Sequence, residues 1–539
     1  MSTINQLNTG TRPTAGAGLA PQIEDEIEAK FVVRSADEAE QLLRVVGQFA
    51  ELTAQDSEQV VDDYIDSPTL ELYTTGLGCR IRQKIAKLGA IRWSLECKAI
   101  AHGGESIKTR KETRHPLPGP VTPDDLPAGA VRNLLDQALT SPPAVILRLH
   151  NQRQHYLAKT GLLNEFDVCM DVVEVKSPDG RLLGQFREVE IELVRGEYAD
   201  LQALIGQVQA AISLSQSRLG KFERSLWLTS TRLDRTETWQ PAQPAWSLLV
   251  AQMRHDLRMI GLSRAIALEG SNPEGVHLVR THTRKLQAAL AAAVPWLGRD
   301  SEQLNREFRE LASSLSEVRD LDVYSGQTMA LVKTLPEVRA RVVTQLEQAL
   351  KELLAQAQCK SRAQLERPGL DRLIERFSKL LEDKIDEHPE ITIQDLARTD
   401  LIRVAGKVRK SIRKLGDADS DDALHLLRIR FKKLRYALEL YAVVISDELR
   451  VATRQARAIQ DLLGTHQDAC VAVAHGQRLA AQLPLIPQNR EVLVTLGRLQ
   501  SERERQATKI RRSFLSGSTA AGNAGREFSR LLKRALKTL

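Results

Sequence analysis

At 539 residues the chain is too long for one ordinary hydrophobic core, so two or more domains are expected, each able to bury a full interior. The balance of 76 Lys+Arg against 69 Asp+Glu leaves only +7, but a pI near 9.1 and local basic runs point to anionic partners. Five cysteines, Cys79, Cys97, Cys169, Cys359 and Cys470, form no CxxC pair and leave one over; this fits neither a disulfide framework nor a zinc site and makes a reducing cytosol, hence a cytoplasmic location, the expected compartment.

Residues 1–21, rich in Thr, Gly, Ala and Pro, read as a flexible tail. They lack the basic start and apolar core of a signal peptide, and no later run of about 18 apolar residues exists, so no membrane association is expected. From 22 to 228 apolar residues recur mostly at period two, punctuated by turns at Ser67-Pro68, Gly76-Leu77-Gly78, Gly103-Gly104, Pro118-Gly119 and Pro178-Asp179-Gly180. This predicts antiparallel sheet interrupted by short helices over Ala36–Gln48, about Ala130–Ala138 and Tyr198–Ala211. The stretch 229–244, with Trp239, Gln240, Pro241 and Pro244, reads as a linker, and 245–539 as an all-helical domain built on a 3.6-residue period.

In the first half the strands share an unusual pattern. Glu26, Glu28 and Lys30 leave one face of a strand while Ile27 and Ala29 leave the other. Arg80, Arg82 and Lys84 do the same on a later strand, followed by Lys98, by Lys108, Arg110 and Glu112, by Arg153, and by Glu188, Glu190 and Glu192 alternating with Val189, Ile191 and Leu193. One charged strand is ordinarily a solvated face with weak surface pairs. Five in a row imply that the apolar faces are covered by helices from outside and the charged faces look into a closed barrel. Unpaired enclosed ions cost several kcal/mol each, so such an interior must be hydrated and filled by something charged. Carboxylates suit Mg²⁺ or Mn²⁺, and arginines and lysines suit a phosphate chain, so a metal–polyanion ligand satisfies both.

These residues resemble the CYTH family of triphosphate tunnel metalloenzymes, which includes class IV adenylyl cyclases, thiamine triphosphatases and inorganic triphosphatases. The ExExK signature is Glu26, Glu28 and Lys30; the Tyr-x-Asp-Thr-Pro segment is Tyr64, Asp66, Ser67 and Pro68; the R-x-R strand is Arg80 and Arg82. Lys98, Arg110 with Glu112, Arg153, the glutamates at 188–192 and Lys221-Phe222-Glu223-Arg224 also match, with Gly220 where the family has serine. Over 22–228 the resemblance implies an eight-stranded antiparallel tunnel. Glu26, Glu28 and two of Glu188, Glu190 and Glu192 would hold Mg²⁺ or Mn²⁺; Arg80, Arg82, Lys98, Arg110, Arg153 and Lys221 would hold phosphate oxygens. Glu26, Glu28, Lys30 and Lys98 are the candidate catalytic set, with Lys30 equally open to a structural role beside the glutamates.

The helical half contains an internal repeat. The residues His277, Arg280, Arg284 and Lys285 recur as His425, Arg428, Lys432 and Lys433 at an offset of 148, and Asp320 recurs as Asp468 at the same offset. At about 100° per residue, His277, Arg280 and Arg284 form one narrow stripe, and His425, Arg428, Lys432 and Arg435 another. Two related helical bundles are therefore expected. The first stripe, with Val276 and Leu286, and the later Arg319, Asp320, Asp322 and Val323 resemble the CHAD domain; the second copy has Gln467 in place of Arg319. The resemblance, over about 245–539, implies two pseudo-symmetric four-helix bundles whose basic surface binds inorganic polyphosphate, enlarged by Lys407, Arg409, Lys410, Arg413 and Lys414. Nucleic acid is disfavoured, because aromatic residues make up 4% of the chain and no base-stacking platform is visible.

The sequence thus predicts a metal-dependent inorganic triphosphatase, splitting tripolyphosphate into pyrophosphate and phosphate, with a helical domain that captures long-chain polyphosphate. A polyphosphate-binding targeting protein with little turnover, a thiamine triphosphatase and an adenylyl cyclase are the alternatives. Nothing in the sequence marks an adenine or thiazole pocket. The oligomeric state is left open.

Overall fold

The structure, a computed structural model, describes residues 22–100, 107–229, 239–270, 272–333, 335, 338–384, 390–415, 421–442, 447–515, 528, 530, 533 and 534. The expected tail over 1–21, the Gly103-Gly104 turn and most of the expected linker lie outside them. The chain divides into two compact units, Met1–Asp234 and Arg235–Leu539.

The first unit is a closed antiparallel barrel. Its strands are β1 (Gln22–Val33), β2 (Glu51–Asp66), β3 (Leu77–Ala86), β4 (Ile91–Ala99), β5 (Ile107–Leu117), β6 (Ala144–Thr160), β7 (Asn164–Lys176) and β8 (Leu182–Arg195), in the order β1-β5-β4-β3-β2-β6-β7-β8. Helices α1 (Ala36–Phe49), α2 (Glu71–Thr74), α3 (Ala130–Ala138) and α4 (Tyr198–Ala211) lie between strands or just after them, and α5 (Lys221–Thr229) closes the unit. The expected helices at 36–48, 130–138 and 198–211 are α1, α3 and α4. Helix α1 starts where the Ser35 hydroxyl accepts from the Glu38 N–H at 3.2 Å, the usual way an orphan amide is satisfied at a helix start.

Period two sorts the side chains. Ala29, Phe31, Phe166, Val168, Val189 and Ile191 are buried with Leu42, Val46, Leu201, Leu204 and Val208 from α1 and α4. Cys79, Ile81, Leu95 and Cys97 are buried with Val131 and Leu135 of α3. Each large apolar side chain so covered contributes about 1.5–3 kcal/mol. The core therefore lies outside the barrel, between sheet and helices, and the alternate residues, mostly charged, face inward.

The second unit is helical: α6 (Ala245–Glu269), α7 (Glu274–Ala292), α8 (Val294–Ser314), α9 (Ser316–Lys333), α10 (Ala340–Leu365), α11 (Pro368–Asp383), α12 (Ile393–Lys414), α13 (Asp421–Leu440), α14 (Asp447–Gln482) and α15 (Arg490–Leu515). The 148-residue offset carries α6 onto α12, α7 onto α13 and α10 onto α15. It carries α8 and α9 together onto the single 36-residue helix α14. The repeats share their interiors: one core joins α6, α7 and α8 to α11, α12, α13 and the first half of α14, and a second joins α9 and α10 to the rest of α14 and α15. At Gly275 the start of α7 meets the end of α6 so closely that a Cβ would lie 2.6 Å from the Ala267 nitrogen, which only glycine permits. Among the described residues no helix is long and apolar enough to cross a membrane.

Candidate functional site

The barrel interior is lined by residues from all sides, among them Glu26, Lys30, Arg80, Arg82, Lys98, Arg110, Arg153, Glu190 and Lys221. Strand register explains the convergence. Glu28 lies opposite Glu192 and Lys30 opposite Glu190 across β1 and β8, and Glu26 lies opposite Arg110 across β1 and β5. Helix α5 delivers Lys221, and it is held by Phe222, whose ring stacks on Tyr64 at 4.3 Å between centroids.

One wall is acidic. Asp171, Glu188 and Glu190 are all buried, and each offers an oxygen within 4.8 Å of the others. The Lys221 ammonium stands 2.8 Å from Asp171 Oδ2, 2.6 Å from Glu188 Oε1 and 2.6 Å from Glu190 Oε1. Lys30 bridges Glu190 and Glu28, the latter at 2.9 Å, while Lys98 pairs with Glu26 and lies 3.6 Å from Glu28. Burial would raise the Glu190 carboxyl, yet Lys221, Lys30 and Arg153 hold it well below its ordinary value. For Glu188 burial prevails and the value is raised, in keeping with two buried oxygens that no donor addresses along a hydrogen-bonding direction among the described residues. Glu192, raised by burial and then by the Glu28 charge, stands outside the three-carboxylate cluster. Of the three glutamates on β8, the geometry groups 188 with 190.

Arginines from the neighbouring strands are interleaved with carboxylates around the rest of the interior. Arg82 makes a two-pronged contact with Asp62 at 2.7 and 2.8 Å, and Arg80 reaches Glu96 at 2.7 Å. Arg153 grips Asp171 at 2.8 and 2.7 Å and Glu190 at 2.5 Å. Arg110 differs: its Nε and Nη2 are buried with no hydrogen-bond partner among the described residues, and its nearest carboxylate contact is Glu28 at 3.6 Å. The glycine that replaces the family's serine is part of this arrangement, since a Cβ at Gly220 would lie 3.3 Å from Arg110 Nη1. Burial, then the Arg110 charge, lower the Lys98 ammonium to about 8.

The structure brings Glu26, Glu28, Lys30, Arg80, Arg82, Lys98, Arg110, Arg153, Glu188, Glu190, Glu192 and Lys221 into one barrel interior. Sequence reading passed over Asp62, Glu96 and Asp171. Each sits at inward parity on its strand, two residues from another inward position, so period two could have flagged it. Asp66, matched by motif, holds backbone. Its buried carboxylate accepts from the N–H groups of Ser67 at 2.7 Å, Leu72 at 2.9 Å and Tyr73 at 2.9 Å, fixing the start of α2.

In the helical unit the two stripes form one basic surface. Burial first, then Arg428, Arg284, Arg280 and Arg435, lower Lys432 to about 7, so charges of both repeats act on one ammonium. Arg280 lies 3.7 Å from Asp320, and its repeat mate Arg428 lies 4.0 Å from Asp468. In both, Nε is buried without a hydrogen-bond partner among the described residues. His277 is partly exposed beside Glu274, whereas His425 Nδ1 meets Gln467 Oε1 at 2.6 Å. Arg435 is engaged by Gln460 and Glu439 at 2.9 and 2.6 Å.

Family models match residues 24–226 as a CYTH domain and 251–477 as a CHAD domain. An uncharacterized protein of Mycobacterium tuberculosis is 28% identical over 447 residues, covering 78% of this chain and 82% of that protein. Among solved structures, the CHAD domain from the plant Ricinus communis aligns with 22% identity and a TM-score of 0.44, over 52% of this chain and 94% of that one. A Hippeastrum protein, described as an adenylyl cyclase candidate with a dominant triphosphatase activity, aligns with 17% identity and a TM-score of 0.29, over 39% of this chain and 99% of that one.

Proposed function

We propose that this chain, a CYTH domain followed by a CHAD domain, is a divalent-metal-dependent triphosphatase that hydrolyses inorganic tripolyphosphate to pyrophosphate and phosphate, its helical unit binding long-chain polyphosphate. The observation that carries the reading is the buried Arg110 guanidinium, with two nitrogens lacking an acceptor among the described residues, in the same interior as the Asp171, Glu188 and Glu190 cluster. Buried guanidinium nitrogens without an acceptor call for an anion, and clustered carboxylates call for a cation.

The donor set fits a hard divalent ion, since it is all carboxylate oxygen and includes buried oxygens on Glu28 and Glu188 that no donor among the described residues addresses along a hydrogen-bonding direction. Glu26 and Glu28 with Glu188 and Glu190, the two β8 glutamates that cluster, would hold it, joined by Asp171. A bound Mg²⁺ or Mn²⁺ supplies neutralisation of phosphate charge and activation of water. The chain's own part is to position. Arg80, Arg82, Lys98, Arg110, Arg153 and Lys221 bind phosphate oxygens and stabilise the charge that spreads over them as the bond to the leaving phosphate breaks. Asp62, Glu96 and Asp171 orient Arg82, Arg80 and Arg153 so that little reorganisation is needed when substrate enters. Lys30 pairs with Glu28 and Glu190, and with Lys221 it holds the Glu190 carboxyl low. The charged lining supports an inorganic chain over a nucleotide or thiamine ester.

Phosphate release by the full chain from tripolyphosphate, ATP, thiamine triphosphate and long polyphosphate, with Mg²⁺, Mn²⁺ or EDTA, tests the proposal. Fastest metal-dependent release from tripolyphosphate is expected. Absence of turnover on every triphosphate would leave a binding protein.

A further inference from the structure

A second cluster in the barrel has a different chemistry. His155 on β6 and Asp167 and Cys169 on β7 share inward parity with Arg153 and Asp171. His155 Nδ1 lies 3.0 Å from Asp167 Oδ2 and 3.3 Å from Cys169 Sγ, and that sulfur lies 3.3 Å from the same Asp167 oxygen. Nitrogen, sulfur and oxygen thus form a small triangle. With bonds of about 2.3 Å to sulfur and about 2.0–2.1 Å to nitrogen and oxygen, the edges of a tetrahedral site run to about 3.3–3.6 Å. The observed triangle is one face of such a tetrahedron, compressed by a few tenths of an ångström.

The other side of the imidazole is also arranged. His155 Nε2 faces Glu58 Oε1 on β2 at 3.3 Å. A carboxylate on the second ring nitrogen is the support that metal-bound histidines ordinarily have, because it fixes the tautomer and aims the first nitrogen. His155 and Asp167 are partly exposed, at 23% and 30% of their side chains, while Cys169 is buried, so the cluster can be reached from solvent.

We propose that His155, Asp167 and Cys169 form a site for a borderline thiophilic divalent cation such as Zn²⁺ or Co²⁺, separate from the all-oxygen cluster of Asp171, Glu188 and Glu190. Ligand softness divides the two: a thiolate with an imidazole selects Zn²⁺ or Co²⁺, whereas Mg²⁺ prefers oxygen alone. Binding replaces the proton on Cys169 Sγ and any proton on His155 Nδ1, and both leave to solvent. The cysteine spacing hides this site because its partners come from two strands and no second cysteine takes part. The site stands whether or not the barrel hydrolyses triphosphates, since its test reads a spectrum and not turnover.

The full chain, reduced and stripped of metal with a chelator, is titrated with Co²⁺. A thiolate-to-cobalt charge-transfer absorption saturating at one equivalent is expected, bleached by Zn²⁺ and untouched by a large excess of Mg²⁺. Cys169→Ser should abolish it, while Cys470→Ser, which removes the thiol beside His466 and Asp421, should leave it intact. His155→Gln and Asp167→Asn keep the thiol and should each weaken Co²⁺ at least tenfold. Absence of the absorption in the unaltered chain overturns the proposal. So does its survival in Cys169→Ser, or unchanged affinity in both of the other variants.

Discussion

The ammonium of Lys221 stands 2.6 Å from Glu188 Oε1, on a helix that begins only after the last strand of the barrel has closed. The same nitrogen touches Asp171 and Glu190, so one cation supplies countercharge to three buried carboxylates. A divalent ion held by those oxygens must compete with it. Lys221→Met should therefore cost about 3–5 kcal/mol of stability in chelator, the loss expected when one side of a buried ionic cluster is removed. Added Mn²⁺ should restore more of that loss than it adds to the unaltered chain, because binding to the folded state stabilises it. Thermal unfolding with and without Mn²⁺ measures both; equal shifts in the two proteins would mean that lysine and metal do not share the carboxylates.

Glu28→Gln changes charge but not size at a buried position between Lys30, Lys98 and Arg110. It is expected to lower metal-dependent turnover of tripolyphosphate by about 100-fold at limiting Mg²⁺, with an unchanged far-ultraviolet circular dichroism spectrum. Near-normal hydrolysis would remove Glu28 from the metal ligands.

Asp66 carries a structural prediction. Its carboxylate accepts three backbone N–H groups at 2.7–2.9 Å and is buried. Asp66→Ala leaves those donors unanswered and should destabilise the barrel by at least about 2 kcal/mol in urea unfolding. A change well below that would show that water reaches the start of α2.

Lys432 sets a pH dependence. Burial and four neighbouring arginines lower it to about 7, so its ammonium is present below that pH and lost as pH rises through it. A bound polyanion favours the charged form, so polyphosphate affinity should fall between about pH 7 and 8.5 and a proton should be taken up on binding. Lys432→Arg should flatten this limb. Parallel titrations with labelled polyphosphate at several pH values decide it: identical profiles would place the ligand away from Lys432.

Replacing Arg280, Arg284, Arg428 and Lys432 together by Gln should weaken long-chain polyphosphate binding and reduce its salt dependence, while hydrolysis of tripolyphosphate stays nearly intact. Equal affinity for both proteins would make the stripes solvated surface.

Much of this protein was legible in one dimension. Period two assigns a face to every residue of a strand, so the inversion of the barrel, charged inside and apolar outside, could be read from Glu26-Ile27-Glu28-Ala29-Lys30 and its later counterparts. The 148-residue offset likewise announced paired helices, because a repeat preserves the face that packs. Partners across the barrel were not legible. Periodicity says that Asp62, Glu96 and Asp171 point inward, but only closure of the sheet decides that they meet Arg82, Arg80 and Arg153, and only α5 decides that Lys221 enters the acidic cluster. The same holds for His155, Cys169 and Asp167, which lie 14 and 12 residues apart yet become neighbours through one strand register. In the helical unit the tertiary structure decided that each core is shared between repeats and that one copy runs as a single helix where the other breaks into α8 and α9. Local pattern fixes direction, which is a property of the backbone; contact depends on the distance between elements, which only the folded chain determines.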